Sequence, residues 1–198
     1  MIHCSTVSYP DLRACDMLFA RTQCTEVENF KIDRLRVAKR RRDWLMGRLA
    51  VKQLVRSYLV RNWDLDVPAS AITVCTDRYG APQVVFEHET HLRRPAWFTI
   101  SLSHSRRTVF AALLEHERGE LGVDLECIEP RSPAFLHSYF TPREIELVER
   151  AGADDARRTV LMTVIWSAKE AVLKALRLGL TVDTRWVECL LRDSDALM

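Results

Sequence analysis

Two acidic segments in the second half of the chain constrain it more than any other feature. The first, LGVDLE, ends at Glu126, and the second, WSAKEAVLK, ends at Lys174. On an extended strand, a spacing of two places the carboxylates of Asp124 and Glu126 on the same face. On a helix, a spacing of four stacks Glu170 and Lys174 on one face. Three carboxylates and a lysine can therefore meet in one cleft.

Clustered carboxylates repel one another unless a cation neutralises them. Hard oxygen ligands without a paired His or Cys favour magnesium as the cation that such a cluster would hold. Each motif also has a plain structural reading. A helical Glu and Lys four residues apart often form a solvated surface pair, and a D-x-E strand is often an exposed strand face.

The charge of the chain is distributed unevenly. The formal net charge is only +2, yet residues Lys31 to Arg61 include eleven lysines and arginines, whereas Glu115 to Glu129 carries an acidic excess. With 198 residues and 47% apolar content, the chain can bury one substantial core or two small, closely packed ones. A basic half beside an acidic half predicts a polyanionic ligand held next to a metal.

The six cysteines show neither C-x-x-C spacing nor a histidine at zinc spacing, which favours reduced thiols. The N-terminus lacks the basic start and apolar core of a signal peptide, and no apolar run reaches the length of a membrane span. These features predict a cytoplasmic protein without a membrane partner.

Apolar residues recur at helical spacing between Val27 and Val60, which predicts one long helix or two helices end to end. Its other face is basic and includes Arg41, Arg42 and Arg48. Such a charge run can bind a polyanion, or it can simply be a solvated helix face.

Alternating segments then predict a hairpin, Ala71 to Cys75 with Gln83 to Phe86, and two further strands, Trp97 to Leu102 and Thr108 to Leu114. Between the last two lies Ser103-His104-Ser105, which we expect to be a loop. Hydroxyls, backbone N–H groups and an imidazole at a strand end can bind phosphate oxygens. Alternatively, His104 bridges loop carbonyls.

The second half of the chain repeats this pattern of a helix accompanied by strands. Leu121 to Cys127 and Thr181 to Leu191 are predicted as strands, and Arg157 to Leu178 as a long helix that carries WSAKEAVLK. Thr141 is a predicted N-cap, and Glu144 completes a capping box, which is a sufficient role for Glu144.

Taken in order, SLSHS (101–105), GVDLE (122–126), FTPRE (140–144) and WSAKEAVLK (166–174) resemble the motifs of the 4'-phosphopantetheinyl transferases of the larger, surfactin-synthetase-activating type. The likeness covers roughly residues 40 to 182. It implies an α/β (α+β) monomer with pseudo-twofold symmetry, in which each half packs a long helix on a small antiparallel sheet. We place the halves at residues 1–114, with the basic helix and the coenzyme A phosphate loop, and at residues 115–198, with the metal and catalytic motifs.

The resemblance also implies a reaction, the transfer of 4'-phosphopantetheine from coenzyme A to a serine of an apo acyl or peptidyl carrier protein. Adenosine 3',5'-bisphosphate is released, and Mg²⁺ is required. By position, Asp124, Glu126 and Glu170 would bind the metal. Glu170 would also act as the catalytic base, and Lys174 would stabilise the reacting phosphate. Coenzyme A phosphates would be held by the basic and small polar residues Arg41, Arg42, Arg48, Ser103, His104 and Lys174.

Two departures from the family pattern and one rival function remain. Ala81 stands where the family has a lysine that reaches coenzyme A, and Arg78 is a candidate substitute; the chain also stops soon after Leu191, where relatives usually continue. The rival is a non-enzymatic module that binds nucleic acid or another anionic partner through the basic helix. It leaves GVDLE and WSAKEAVLK unexplained, so we expect no nucleic-acid partner.

Overall fold

The computed structural model describes residues 1–9, 14–86, 98–115 and 119–190. Helices and two small antiparallel sheets make up this part of the chain, which confirms the predicted mixed α/β class. The helices are α1 (Ala14–Thr22), α2 (Glu26–Arg34), α3 (Ala38–Trp63), α4 (Pro133–Tyr139), α5 (Pro142–Glu149) and α6 (Asp155–Ala175). The strands are β1 (Ile2–Ser8), β2 (Ile72–Thr76), β3 (Pro82–Phe86), β4 (Phe98–Ser105) and β5 (Thr108–Glu115).

The larger sheet has three antiparallel strands in the order β1-β5-β4, and β2 and β3 form a separate hairpin. In β5, Val109, Ala111 and Leu113 are fully buried, and they pack against the apolar face of α3, which includes Val51 and Val55. A second core joins α4, α5 and α6 through residues such as Phe140, Ile165 and Trp166. These two cores lie in the two predicted halves, although the boundary between 114 and 115 remains a prediction.

The basic segment forms two helices, the second of the two predicted arrangements. The chain is extended at Leu35 and at Val37, between α2 and α3. The carbonyl of Leu35 accepts hydrogen bonds from Nε and Nη2 of Arg41, at 3.2 and 3.0 Å. Arg41 therefore stabilises the break between the helices.

The first half contains a buried ion pair that the sequence analysis missed. Thr25 and Glu28 form a capping box at the start of α2, and Glu28 Oε2 lies 2.5 Å from Lys52 Nζ of α3. The other oxygen of Glu28 accepts the backbone N–H of Val74 in β2 at 2.9 Å. Lys52 also donates to the carbonyls of Gln23 and Ala69, at 2.7 and 3.0 Å.

The second half contains the same set of contacts. Thr141 and Glu144 form the predicted capping box, and Glu144 Oε2 lies 2.8 Å from Lys169 Nζ of α6, with both side chains fully buried. The other oxygen of Glu144 accepts the backbone N–H of Cys189 at 2.7 Å. Lys169 also donates to two carbonyls, those of residues 184 and 187. The two buried pairs therefore have matching contacts, although both sheets of the described residues lie in the first half.

Two predicted strands of the second half are wrong. Leu121 to Cys127 lies outside both sheets, and from Thr181 to Leu190 the chain has short 3₁₀ turns instead of a strand. Leu191 lies outside the described residues. The N–H of Val123 donates to a serine hydroxyl, Ser101 Oγ, at 3.0 Å, so it does not pair with a strand carbonyl.

Candidate functional site

The centre of the site is a group of three side chains from different parts of the chain. Lys174 Nζ of α6 lies 2.6 Å from Asp124 Oδ1 and donates to Ser103 Oγ at 3.1 Å. Ser103 Oγ in turn donates to Asp124 Oδ1 at 2.8 Å. The Asp124 side chain is only 2% exposed, and its second oxygen, Oδ2, is buried without a hydrogen-bond partner. Asp124 is thus a buried carboxylate with one oxygen free to accept a ligand.

The LGVDLE segment is held between β4 and α6. Successive residues of a strand point to opposite faces, so Ser101 and Ser103 of β4 share one face. Ser101 holds the backbone of this segment at Val123, and Ser103 holds the Asp124 side chain. On the other side, Gly122 packs so closely on α6 that a Cβ atom there would lie 1.8 Å from the backbone oxygen of Ala171.

This arrangement corrects one prediction. Residues 103 to 105 are the end of β4 and not a loop, and in this structure Ser103 contacts Asp124 and Lys174. The sequence contained a signal for this in the alternate serines of SLSHS, because a spacing of two puts them on one strand face. Gly122 carried no comparable signal, since its close contact with α6 is a tertiary feature.

Glu170 lies near the same group, with Oε2 at 3.7 Å from Lys174 Nζ. Burial raises the pKa of Glu170, and the negative charges of Asp124 and Glu126 raise it further, against the opposing charge of Lys174. The carboxyl is therefore easier to protonate than an ordinary glutamate, which suits a group that accepts a proton.

Glu126 has both oxygens engaged. Arg131 Nη2 lies 2.8 Å from Oε2, and Trp166 Nε1 donates to Oε1 at 3.2 Å. Arg131 also stacks on Phe135, with 4.7 Å between its guanidinium carbon and the ring centroid. The sequence did not indicate a role for Arg131, because its contact with Glu126 depends on how the chain folds back after residue 126.

Among the described residues, no three His, Cys, Asp or Glu side chains converge closely enough to hold a metal ion. The donor chemistry nevertheless suits magnesium, since Asp124, Glu126 and Glu170 are hard oxygen donors and influence one another's charge. The free, buried Oδ2 of Asp124 is an atom that such an ion would satisfy. In the structure, the cations near these carboxylates are Lys174 and Arg131.

A cavity of about 320 Å³ lies beside Lys174, with walls from both halves of the chain. Its cationic lining residues are Arg48 of α3, Lys174 of α6 and Arg177, and its acidic lining residue is Glu120. Three cations around one cavity favour an anionic ligand. Arg177 also joins the halves, because Nη1 lies 3.1 Å from Asp77 Oδ2 in the β2–β3 turn.

The turn at Tyr79 to Pro82 lines this cavity, including Ala81, the residue that the sequence resemblance aligns with a lysine. Arg78, the substitute considered from the sequence, stacks on the Tyr79 ring at 4.7 Å. Arg177 is a cation in the lining that the sequence analysis did not identify.

The three predicted arginines of the basic segment have different surroundings. Arg48 is 8% exposed, lies 4.0 Å over the Trp44 ring and lines the cavity, and burial lowers its pKa. Arg41 is bonded to the end of α2, and Arg42 Nε lies 3.8 Å from Asp43 Oδ1. Of these three arginines, Arg48 lines the cavity, whereas Arg41 and Arg42 contact Leu35 and Asp43.

His104 faces α3, where a Cβ atom on Gly47 would lie 3.1 Å from His104 Nε2. Part of the side chain is exposed, but desolvation by the surrounding protein lowers its pKa. The charge of Asp43 opposes this shift, and those of Arg48 and Lys174 add to it. A neutral imidazole close to two cations can accept or donate a hydrogen bond to a bound ligand.

The described cysteines, at positions 4, 24, 75, 127 and 189, are free thiols. Within the described ranges, none of the helices combines the length and the apolar character needed to cross a bilayer.

The C-terminal part of the chain is similar to a known protein superfamily. Residues 120–197 match the model of the 4'-phosphopantetheinyl transferase superfamily. A curated protein of Synechocystis sp., provisionally named as a 4'-phosphopantetheinyl transferase, is 33% identical over 105 residues. The match covers 52% of this chain and 38% of that relative, so the chain spans well under half of the relative's length.

Solved structures similar to this chain include two holo-(acyl-carrier-protein) synthases. The enzyme from Bacillus anthracis, in complex with coenzyme A (3',5'-ADP), is 19% identical, and the match has a TM-score of 0.44. It covers 57% of this chain and 91% of the Bacillus anthracis chain. The enzyme from Thermotoga maritima is also 19% identical, covers 71% of this chain and 74% of its own, and has a TM-score of 0.45. The family match is the finding that bears on the site, because residues 120–197 include Asp124, Glu126, Glu170 and Lys174.

Proposed function

We propose that this chain is a 4'-phosphopantetheinyl transferase of the surfactin-synthetase-activating type. It transfers the 4'-phosphopantetheine group of coenzyme A to a serine of an apo acyl or peptidyl carrier protein and releases adenosine 3',5'-bisphosphate. The family match over residues 120–197 and the partial match to the Synechocystis relative support the proposal.

The observation that carries the proposal is the position of Lys174. Its ammonium contacts the buried carboxylate of Asp124, and the same side chain lines the cavity that also contains Arg48 and Arg177. An anionic ligand in this cavity would lie beside a carboxylate cluster, which is the arrangement that phosphoryl transfer requires. A solvated surface pair would not be joined to a buried aspartate and a cationic cavity.

In the proposed reaction, Glu170 takes the proton from the carrier-protein serine as the serine oxygen attacks the phosphorus attached to pantetheine. The bond from this phosphorus to the bridging oxygen of the diphosphate breaks, and adenosine 3',5'-bisphosphate leaves with the bonding electrons. The raised pKa of Glu170 makes it a better proton acceptor near neutral pH than an ordinary glutamate. Lys174 stabilises the charge that develops on the phosphate oxygens.

Magnesium is the proposed cofactor, held by Asp124, Glu126 and Glu170. When bound, it neutralises the charge on the diphosphate oxygens. The carboxylate donor set and the free Oδ2 of Asp124 support this assignment.

The remaining predicted residues are proposed to bind coenzyme A. Arg48 has the strongest support because it lines the cavity. Ser103 and His104 both lie at the C-terminal end of β4. Arg41 and Arg42 are proposed to contribute at the start of α3, where their positive charge attracts the phosphates. We also propose a monomer that acts in the cytoplasm, a reducing compartment where its free cysteines stay reduced.

Mass spectrometry of an apo carrier protein tests the proposal. The carrier protein is incubated with this protein, coenzyme A and Mg²⁺, and a gain of the phosphopantetheine mass on one serine is the expected result. Asp124→Ala should show no transfer, and omission of Mg²⁺ should have the same effect. Unmodified carrier proteins of both the acyl and the peptidyl type, together with salt-dependent binding of nucleic acid, would favour the rival binding module.

A further inference from the structure

We infer that Lys174 keeps the metal site closed in the ligand-free protein, so that a divalent cation binds tightly only together with a phosphate-bearing ligand. This inference rests on the proposed function and adds an order to its binding steps. Lys174 would thus have a role before the reaction begins, in addition to its proposed role in stabilising the reacting phosphate.

The first support is the position of the ammonium group. Lys174 Nζ lies 2.6 Å from Asp124 Oδ1 and 3.7 Å from Glu170 Oε2, which are oxygens of two proposed metal ligands. Magnesium would bind oxygens of the same two carboxylates, at about 2.0–2.1 Å. Two cations beside the buried carboxylate of Asp124 would repel each other. The metal therefore binds more tightly when the ammonium moves away from Asp124.

The second support is the balance of charge around the site. The three carboxylates of Asp124, Glu126 and Glu170 face two protein cations, Lys174 and Arg131, which leaves one negative charge. A divalent ion that entered without an anion would reverse the sign of this local charge. A diphosphate that entered with the ion would restore a balance of charge, so the anion and the metal favour each other's binding.

The third support is the state of Asp124. Its Oδ1 is occupied by Lys174 and Ser103, whereas its buried Oδ2 has no partner. A buried carboxylate oxygen without a partner is unfavourable, and a metal ion would satisfy it. Yet no group of three possible ligands converges among the described side chains. Asp124 can therefore offer Oδ2 to a metal ion, while Lys174 and Ser103 occupy its Oδ1.

The cavity supplies a destination for the displaced ammonium. Lys174 lines the cavity together with Arg48 and Arg177, so a diphosphate bound there lies within reach of the same flexible side chain. Its phosphate oxygens can take over from Asp124 as the partner of the ammonium. Thermodynamic linkage then requires the effect to be mutual, because the anion strengthens metal binding by the same factor by which the metal strengthens anion binding.

The test is a titration with Mn²⁺, followed by electron paramagnetic resonance and by calorimetry, with the full chain and without coenzyme A. Lys174→Met removes the charge but keeps an apolar stem, and it should bind Mn²⁺ about tenfold or more tightly than wild type, the size of a typical coupling between sites. Lys39→Met is the matched control, since Lys39 is an exposed lysine of α3. It should bind Mn²⁺ as wild type does.

A second titration measures the coupling itself. Adenosine 3',5'-bisphosphate and coenzyme A are added in turn, and each should raise the Mn²⁺ affinity of wild type more than that of Lys174→Met. Lys174→Gln provides a second uncharged variant, and circular dichroism confirms that both variants are folded. Equal or weaker Mn²⁺ binding by both folded variants, relative to wild type, would overturn the inference.

The outcome is separate from that of the proposed function. If wild type modifies a carrier protein but Lys174→Met and wild type bind Mn²⁺ equally, the transferase proposal stands and the inference about Lys174 is rejected. If wild type modifies no carrier protein, the transferase proposal fails whatever the Mn²⁺ affinities are.

Discussion

Gly122 packs against the backbone of α6 without room for a side chain, so Gly122→Ala should disturb both stability and the site. A Cβ atom at residue 122 would lie 1.8 Å from the backbone oxygen of Ala171 and 2.5 Å from the backbone nitrogen of Ala175. These are backbone atoms of α6, which cannot rotate away as a side-chain terminus could. In Gly122→Ala, the LGVDLE segment and α6 must therefore separate by more than 1 Å to reach even the 3.0 Å that real Cβ contacts respect.

This overlap should cost about 3 kcal/mol of unfolding free energy, the upper part of the range for overpacked cores, because rigid backbone atoms are involved. For a chain of this size, such a loss corresponds to a Tm lower by roughly 6–12 °C. The same separation moves Asp124 away from Lys174 and Glu170. A displacement of about 1 Å in a catalytic group can lower the rate roughly a hundredfold, so transfer per folded molecule should fall by about this factor.

The assay combines urea and thermal unfolding with the carrier-protein transfer rate. Gly152→Ala is the control, because Gly152 has a φ of +63° and a Cβ atom there would meet nothing within 4 Å. It should lose about 1–2 kcal/mol from backbone strain alone and keep its transfer rate per folded molecule. If Gly122→Ala had the stability and the transfer rate of wild type, LGVDLE could not be packed against α6 as described.

Three further predictions concern the buried ion pair, the proposed base and the phosphate contacts. Lys169→Met should lower the unfolding free energy by about 3–5 kcal/mol, because it leaves Glu144 buried without its cation. In urea unfolding, the double variant Lys169→Met/Glu144→Gln should recover part of this loss. Absence of both effects would mean that the pair is exposed to solvent. Glu170→Gln should lower transfer by about a hundredfold with little loss of coenzyme A affinity. The raised pKa of Glu170 means that its carboxyl is harder to ionise in the folded than in the unfolded protein, so wild type loses stability as the pH rises. Glu170→Gln has no such ionisation, and it should therefore have a higher Tm than wild type at neutral pH and the same Tm in acid. Coenzyme A should bind roughly tenfold or more tightly than dephospho-coenzyme A, since charge-assisted contacts contribute about 1.5–3 kcal/mol each. Arg48→Met should reduce this difference in calorimetry, and equal affinities in wild type would exclude a 3'-phosphate contact.

Local features of the fold were predictable because neighbouring residues determine them. The capping box of Thr141 and Glu144, the β2–β3 hairpin and the long helix of WSAKEAVLK depend on short-range hydrogen bonds and hydrophobic periodicity. The break in the basic segment was left open as two alternatives, since Arg41 reaches back to Leu35 only after α3 has formed.

The two buried Glu–Lys pairs show where sequence reasoning ended. TPRE at residues 141–144 was predicted as a capping box, and TEVE at residues 25–28 forms a second one in the structure. That each glutamate also holds a lysine and a distant backbone N–H depends on the packing of three elements. Residue types suggested the cap at Thr141, and tertiary contacts made both caps part of the core.

The sequence by itself determined that Glu170 and Lys174 share a face of α6, because the helical period decides this within a few residues. Only the tertiary structure decided how the charged side chains meet: Lys174 lies on Asp124, Glu126 faces Arg131, and LGVDLE packs between β4 and α6 without joining a sheet. Ser103 and Lys174, which meet in the same site, are 71 residues apart in the chain. No local preference specifies such a contact, since it forms only when the packing of two cores brings the elements together.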